Sequence, residues 1–470
     1  RGAQAPDLAS IPSLAIKRIE VLRDGASAQY GSDAIAGVIN IILEDKPGME
    51  VFGQFSQYFE GDGNEYQSGV RGGAALGDRG SIVFTGQYGK AEATSRTRQR
   101  PDAIAFQNAN PTIKVPNPVQ RWGQPDEERI RGSVDARYEI ADNVTVYTFL
   151  TAQSGEGVTD FNWRNPAGTA NVYNPSSAFP GFSFRTLYPA GFTPRFGTKY
   201  SDFQANSGVR GDLSEAFSYD LSVGFGRSRI DYNMRESLNA SMGPLSPTSF
   251  YIGRLEQREF NINADFVYRL PVGGAEPLNI AFGAERRRET YKVGAGDPAS
   301  YAIGPGAATG LAPSSNGFPG FSPMAAGSWD QTSYAGYVDL EWRPVEMLTL
   351  GAAGRYEDFS AFGDTFNYKL AARFEPIDGI AARATWSTGF RAPTLAEQKY
   401  STINVGPTSA VAQLPAGTPA AQLLGFDALK PEKSTNFSAG FVARPVPKLA
   451  ITVDGYYIKI KDRIAGTAAR

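Results

Sequence analysis

Residues 155–201 hold Phe161, Trp163, Tyr173, Phe179, Phe182, Phe184, Tyr188, Phe192 and Phe196, with Arg164, Arg185 and Arg195 among them. Aromatic faces stack on planar or sugar-like groups and guanidinium groups pair with anions, so this segment could capture a ligand without transforming it. The same rings are also satisfied if a long loop folds over and buries them against one another. Trp163, Phe184, Arg164 and Arg185 are the residues that the capture reading sets against a ligand. Arg391, in "GFRAPT", sits where a strand enters another long connection. It reads first as a loop arginine in water, and second as a residue lining an outer mouth.

Covalent and acid–base chemistry find little support. The chain has no His and no Cys. That removes the usual general base, the commonest metal ligand, the Ser-His and Cys-His nucleophile pairs and any disulfide framework. Carboxylate-only chemistry remains open in principle, but no motif assigns a catalytic residue, a metal ligand or a cofactor site. "GSDAIAG" lacks the Lys-Ser/Thr that grips phosphate. A net charge of −2 gives no reason to expect nucleic acid.

The elements that must carry these loops are strands. In "FSYDLSVGFG" the apolar residues Phe217, Tyr219, Leu221, Val223 and Phe225 alternate with Ser218, Asp220, Ser222 and Gly224. "EFNINADFVYRL" and "YAGYVDLEWR" repeat the pattern. Period two means one apolar and one polar face per strand. Such strands are expected near 51–59, 66–76, 81–92, 128–139, 144–154, 202–213, 217–233, 255–270, 277–293, 331–343, 347–360, 366–375, 379–388, 433–444 and 447–461. Charges at strand centres (Asp135, Arg137, Asp265, Arg383) mark the polar face as a wet interior. The register then sends Phe217, Leu221, Phe260, Phe266, Leu340 and Trp342 to lipid, with Asp135, Arg137, Asp265 and Glu341 inside.

Connections alternate in length. "GDRG", "IADN", "LSEA", "PVGGAE", "PVE", "PIDG" and "PVPK" are tight, whereas 93–127, 155–201, 234–254, 294–330 and 389–432 are long and rich in Gly, Pro, Asn and Ser. Loops sorted by parity are the signature of a transmembrane antiparallel β-barrel with short periplasmic turns and long extracellular loops. Within it, the run "ERRRE" at 285–289 reads as the rim of a long strand, where basic side chains meet anionic headgroups. No apolar run is long enough for a transmembrane helix. An odd strand count cannot close such a barrel, so further strands are expected beyond the C-terminus; the start at Arg1, without Met, reads as truncated.

Residues before the first barrel strand do not fit this pattern. "IKRIEVLRDGASAQYGSDAIAGVINIIL" resembles the end of the plug domain of TonB-dependent outer-membrane receptors, over about thirty positions. "STGFRAPTLAEQ" and "LKPEKSTNFSAG" are similar to late-barrel motifs of the same family, in the same order. The resemblance implies an all-β chain, with residues 1–48 the C-terminal part of an N-terminal plug domain and 49–470 a barrel holding fifteen of about 22 strands. It carries over a plug signature of Glu20, Arg23, Gly25, Tyr30, Gly31, Gly37 and Asn40, the glycines serving tight turns and close packing. Charges such as Glu20 and Arg23 on a plug surface would pair with the lumen wall or be solvated. The family's frequent glutamate is Ser438 here, which removes one acidic partner for Arg23.

The resemblance further implies a receptor, not an enzyme, in the outer membrane of a Gram-negative bacterium. It would take up a scarce nutrient such as an iron–siderophore or other metal chelate, cobalamin or a saccharide. The TonB–ExbB–ExbD complex would supply the energy through a segment that precedes Arg1. A passive porin shares the barrel signals but gives no reason for a plug-like stretch ahead of the first strand.

Overall fold

In the computed structural model, which describes residues 7–22, 25–405, 410–446 and 448–467, one antiparallel sheet of fifteen strands holds most of the chain. Two strands precede it, β1 (Ile16–Leu22) and β2 (Val38–Leu43), and pair with each other. The sheet begins with β3 (Gly48–Ser56), β4 (Glu65–Ala75), β5 (Gly80–Ala91), β6 (Asp126–Ala141), β7 (Val144–Asp160), β8 (Arg195–Ser214) and β9 (Phe217–Arg235). It continues with β10 (Phe250–Leu270), β11 (Leu278–Gly294), β12 (Gly327–Val345), β13 (Leu348–Phe359), β14 (Gly363–Ile377) and β15 (Ile380–Arg391). After a small hairpin, β16 (Thr402–Val405) with β17 (Ala410–Gln413), come β18 (Glu432–Val446) and β19 (Leu449–Lys461). Each sheet strand pairs with the next, β15 with β18, and β3 and β19 are the two edges. Among the described residues no helix is long and apolar enough to cross a membrane.

The alternation explains the sheet. Lipid cannot hydrogen-bond a backbone, so strands must pair laterally, and period-two patterning gives the sheet one apolar face. Leu221 is 40% exposed on that face, with Val223 and Phe225 beside it along β9. Phe217, Phe266 and Phe282 pack together near the tight-turn end, with Phe266 and Phe282 stacked at 5.3 Å. The other face holds the expected charges: Asp265 accepts a 2.6 Å hydrogen bond from Tyr337, and Asp135 lies 3.3 Å from Arg137. Connections keep their parity, although 57–64 and 360–362 are brief members of the long set.

Strand ends depart from the sequence reading. β8 starts at Arg195 and β10 at Phe250, earlier than the alternation suggested, and β7 continues to Asp160. Above the lipid both faces of a strand are wet or covered by loops, so pairing persists after the apolar pattern stops. The "ERRRE" run lies within β11, and alternation turns Arg287 inward and Arg286 and Arg288 outward.

Candidate functional site

The inner face is identified by what it touches. Residues 7–22 and 25–45 bond to two stretches of the inner wall. On β5–β7, Arg131 Nη1 donates to the Ala9 carbonyl (3.0 Å), Gln87 Oε1 accepts from the Ser13 amide (3.0 Å), and Gln153 Nε2 donates to Asp7 (2.8 Å). Asp45 ties Lys17 to Arg137, the latter at 2.8 Å. On β12–β18, Gln29 Nε2 donates to Asp339, the Ala392 amide to Ser32 Oγ (3.1 Å), and Asn436 Nδ2 to the Ile35 carbonyl (2.9 Å).

The short helix Ser27–Tyr30 forms the second contact, with Ala26, Ser27 and Ala28 fully buried. Small side chains are required there because the wall is close. A Cβ on Gly25 would fall on the Asn436 amide and the Ser387 hydroxyl, and one on Gly389 would lie 2.8 Å from Ser27 Oγ. Gly31 has φ 81° and ψ −155°, a conformation that essentially only glycine adopts. A Cβ on it would meet the Arg355 guanidinium at 3.1 Å. We therefore expect Gly31→Val to weaken the seating of this segment by about 1–3 kcal/mol, from strain and overpacking. Hydrogen exchange at residues 25–35 in the full-length protein checks this; unchanged protection would contradict it.

Arg355 is itself held. Its Nη2 bonds Glu285 at 2.6 Å and its Nε bonds Glu357 at 3.1 Å, while Arg287 reaches Glu357 at 3.1 Å. No motif announced this four-residue network, because its members sit on separate strands, β11 and β13. The signal available was the regular inward spacing of Glu285, Arg287, Arg355 and Glu357.

The remaining signature residues are placed as follows. Glu20 is half-exposed and bonds Arg18 (2.7 Å) and Asn40 (3.3 Å), so its partners lie on β1 and β2, not on the wall. Tyr30 is exposed and Gly37 half-buried just before β2. Arg23 lies outside the described residues. Ser438 bonds Thr385 at 2.7 Å.

The long loops form their own cores. Trp163 is 4% exposed among Ala103, Phe106, Val115 and Val119, and its indole donates to the Ala190 carbonyl at 3.2 Å. Phe184 is 3% exposed in a cluster with Val172, Tyr173, Phe192, Leu238 and Leu311. Neither ring is an open platform for a ligand: burial against neighbouring loops satisfies them first. Arg185 donates to the Pro166 carbonyl at 2.8 Å. Arg391 is half-buried and paired. It makes two-pronged pairs with Glu397 (2.9 and 3.1 Å) and Glu432 (3.0 and 3.1 Å). Glu397 in turn closes a capping box on the helix Leu395–Lys399.

Arg164 differs. It lines a cavity of about 480 Å³ between the loops, with Arg100, Asn162, Trp163, Thr169, Asn171 and Asn316. Its guanidinium bonds the Asn316 side chain and the Asn162 carbonyl, and it makes no ion pair among the described residues. Burial, then the nearby Arg100 charge, hold it below the usual arginine range. A cation so placed, ringed by amide groups, suits an anion. Among the described residues no cluster of acidic side chains could hold a metal ion.

This arrangement has relatives. The TonB dependent receptor-like β-barrel family matches residues 137–469, and the TonB-dependent receptor plug domain matches residues 1–38. The chain belongs to the TonB-dependent receptor family. Its members are transport receptors and not enzymes. Among solved structures, the siderophore receptor PirA from Acinetobacter baumannii is similar at TM-score 0.63 and 15% identity, covering 97% of this chain and 59% of that one. A variant of the ferric enterobactin receptor PfeA from Pseudomonas aeruginosa gives 0.63 and 15%, covering 97% and 60%. The ferric-catecholate import receptor Fiu from E. coli gives 0.58 and 13%, covering 95% and 63%. At such identities the likeness is one of fold, and the chain spans about six-tenths of each of these structures.

Proposed function

We propose that this chain is the end of the plug (residues 1–48) and part of the barrel (49–470) of an outer-membrane receptor that takes up an anionic metal chelate of the iron–siderophore kind. Energy would come from the TonB–ExbB–ExbD complex. The observation that carries the reading is that residues 7–22 and 25–45 bond to both β5–β7 and β12–β18. A passive pore gains nothing from such an obstruction, whereas a gated receptor needs one. The chelate class is supported by the Arg164 cavity, whose charge and amide lining suit a catecholate-like anion, and by the siderophore receptors that share the fold.

In the full-length receptor, Arg164→Gln is expected to weaken binding of a ferric tris-catecholate about tenfold or more, as loss of a charged hydrogen bond does. A neutral ferric chelate should be affected much less. Calorimetric titration of both chelates checks this, and equal effects on the two would remove Arg164 from anion recognition. Single-channel recording should show a closed pore; a steady large conductance would overturn the receptor reading.

A further inference from the structure

Asn316 is followed by Gly317, and Asn-Gly occurs once in the chain. In such a pair the glycine nitrogen meets the asparagine side-chain carbonyl carbon with no side chain in the way. The fold keeps the glycine. Gly317 has φ 106°, a conformation that favours glycine, and a Cβ there would lie 2.7 Å from Met234 Cε and 3.1 Å from Pro194 Cβ.

Several features ready the pair for reaction. The Gly317 amide donates no hydrogen bond among the described residues, so its nitrogen is free to lose a proton and attack. The Asn316 side-chain oxygen accepts from Arg164 Nε, a cation placed to hold the negative charge that this oxygen would gain. The Asn316 side-chain nitrogen has no partner among the described residues and is free to leave. Its backbone, by contrast, is fixed: the amide donates to the Leu238 carbonyl at 2.9 Å, and the carbonyl accepts from Ser237 Oγ at 2.6 Å. Both residues are half-buried, so water reaches them.

We propose that Asn316 deamidates in place, and that the carboxylate so formed pairs with Arg164 and switches off the anion-binding cavity. The bond from Gly317 N to Asn316 Cγ forms, and the Gly317 proton goes to water. The bond from Cγ to Nδ2 breaks, and that nitrogen leaves as ammonia with a proton from water. Water then opens the cyclic imide to an aspartyl or isoaspartyl carboxylate. Nothing is oxidised or reduced, and water is the only co-reactant. Arg164, without an ion pair among the described residues, gains one and no longer offers its charge to a ligand. The switch rests on the anion reading of this cavity; the deamidation does not.

The test ages the full-length receptor in mildly alkaline buffer and follows Asn316 by peptide mapping with mass spectrometry. Asn206, ahead of Ser207 within β8, is the internal reference. Asn316 should convert well before Asn206. Asn316→Asp, which installs the product charge directly, should weaken ferric tris-catecholate binding about tenfold or more, as loss of a charged hydrogen bond does. Aged parent receptor, separated by charge into converted and unconverted forms, should show the same difference without any substitution. Asn316 intact after Asn206 has converted would overturn the proposal. So would converted receptor that binds the chelate as tightly as unconverted receptor while Arg164→Gln binds it weakly. If converted receptor and Arg164→Gln both bind as the parent does, the anion reading of the cavity fails and the switch with it, and the peptide map alone decides the deamidation.

Discussion

Glu357→Ala should destabilise the barrel by about 3–5 kcal/mol, the usual cost of removing one partner from a buried ionic network. Glu357 is 1% exposed and Arg355 4% exposed. The Glu357 carboxylate bonds both Arg355 and Arg287, at 3.1 Å to each. Its loss leaves Arg355 with Glu285 as its one carboxylate at ion-pair distance among the described residues, and Arg287 with Glu285 at 3.9 Å. The effect should extend to the plug, because Arg355 is the surface on which Gly31 rests. Denaturant unfolding in lipid, together with hydrogen exchange at residues 25–35, reads both consequences. A variant as stable as the parent, with the same protection, would show that the network is slack.

Phe184→Ala should loosen the shared core of the long loops and leave the barrel assembled. Truncating a buried phenylalanine costs about 3–5 kcal/mol, and this ring joins three loops: its cluster draws Tyr173 and Phe192 from the loop 161–194, Leu238 from 236–249 and Leu311 from 295–326. Trp163→Ala should act likewise on the neighbouring cluster around Phe106. Proteolytic cleavage within 155–201 is expected to accelerate strongly, with barrel migration in gels unchanged. If cleavage rates stay at the parental level, these cores do not hold the loops together.

Much of the sheet was legible because lipid imposes a strict rule. Leu221, Val223 and Phe225 face lipid and Asp220 and Ser222 do not, so the strand and its register are written in the order of residues. Beyond the lipid the rule lapses, and the first residues of β8 and β10 gave no alternation to read. The plug end was legible as a motif, and a Cβ on Gly25 or Gly31 would meet side chains of the wall. Their partners were not, since Asn436 and Arg355 are hundreds of positions away and only folding brings them together. The same limit explains Arg391, whose carboxylate partner Glu432 comes from β18. The aromatic density of 155–201 was plain in the sequence. Whether those rings faced a ligand or one another depended on Leu238 and Leu311, contributed by other loops.

On the proposed function, uptake requires the plug segment to leave its seat against the wall. The chain has no cysteine, so a single engineered pair can tether it. A Cβ at position 389 would lie 2.8 Å from Ser27 Oγ, close enough for Ser27→Cys and Gly389→Cys to be joined with little movement. In the full-length receptor this pair should form a disulfide in oxidising medium, leave ligand binding at the surface intact and abolish uptake of the labelled chelate, with reduction restoring it. Uptake at the parental rate with the disulfide fully formed would contradict the account.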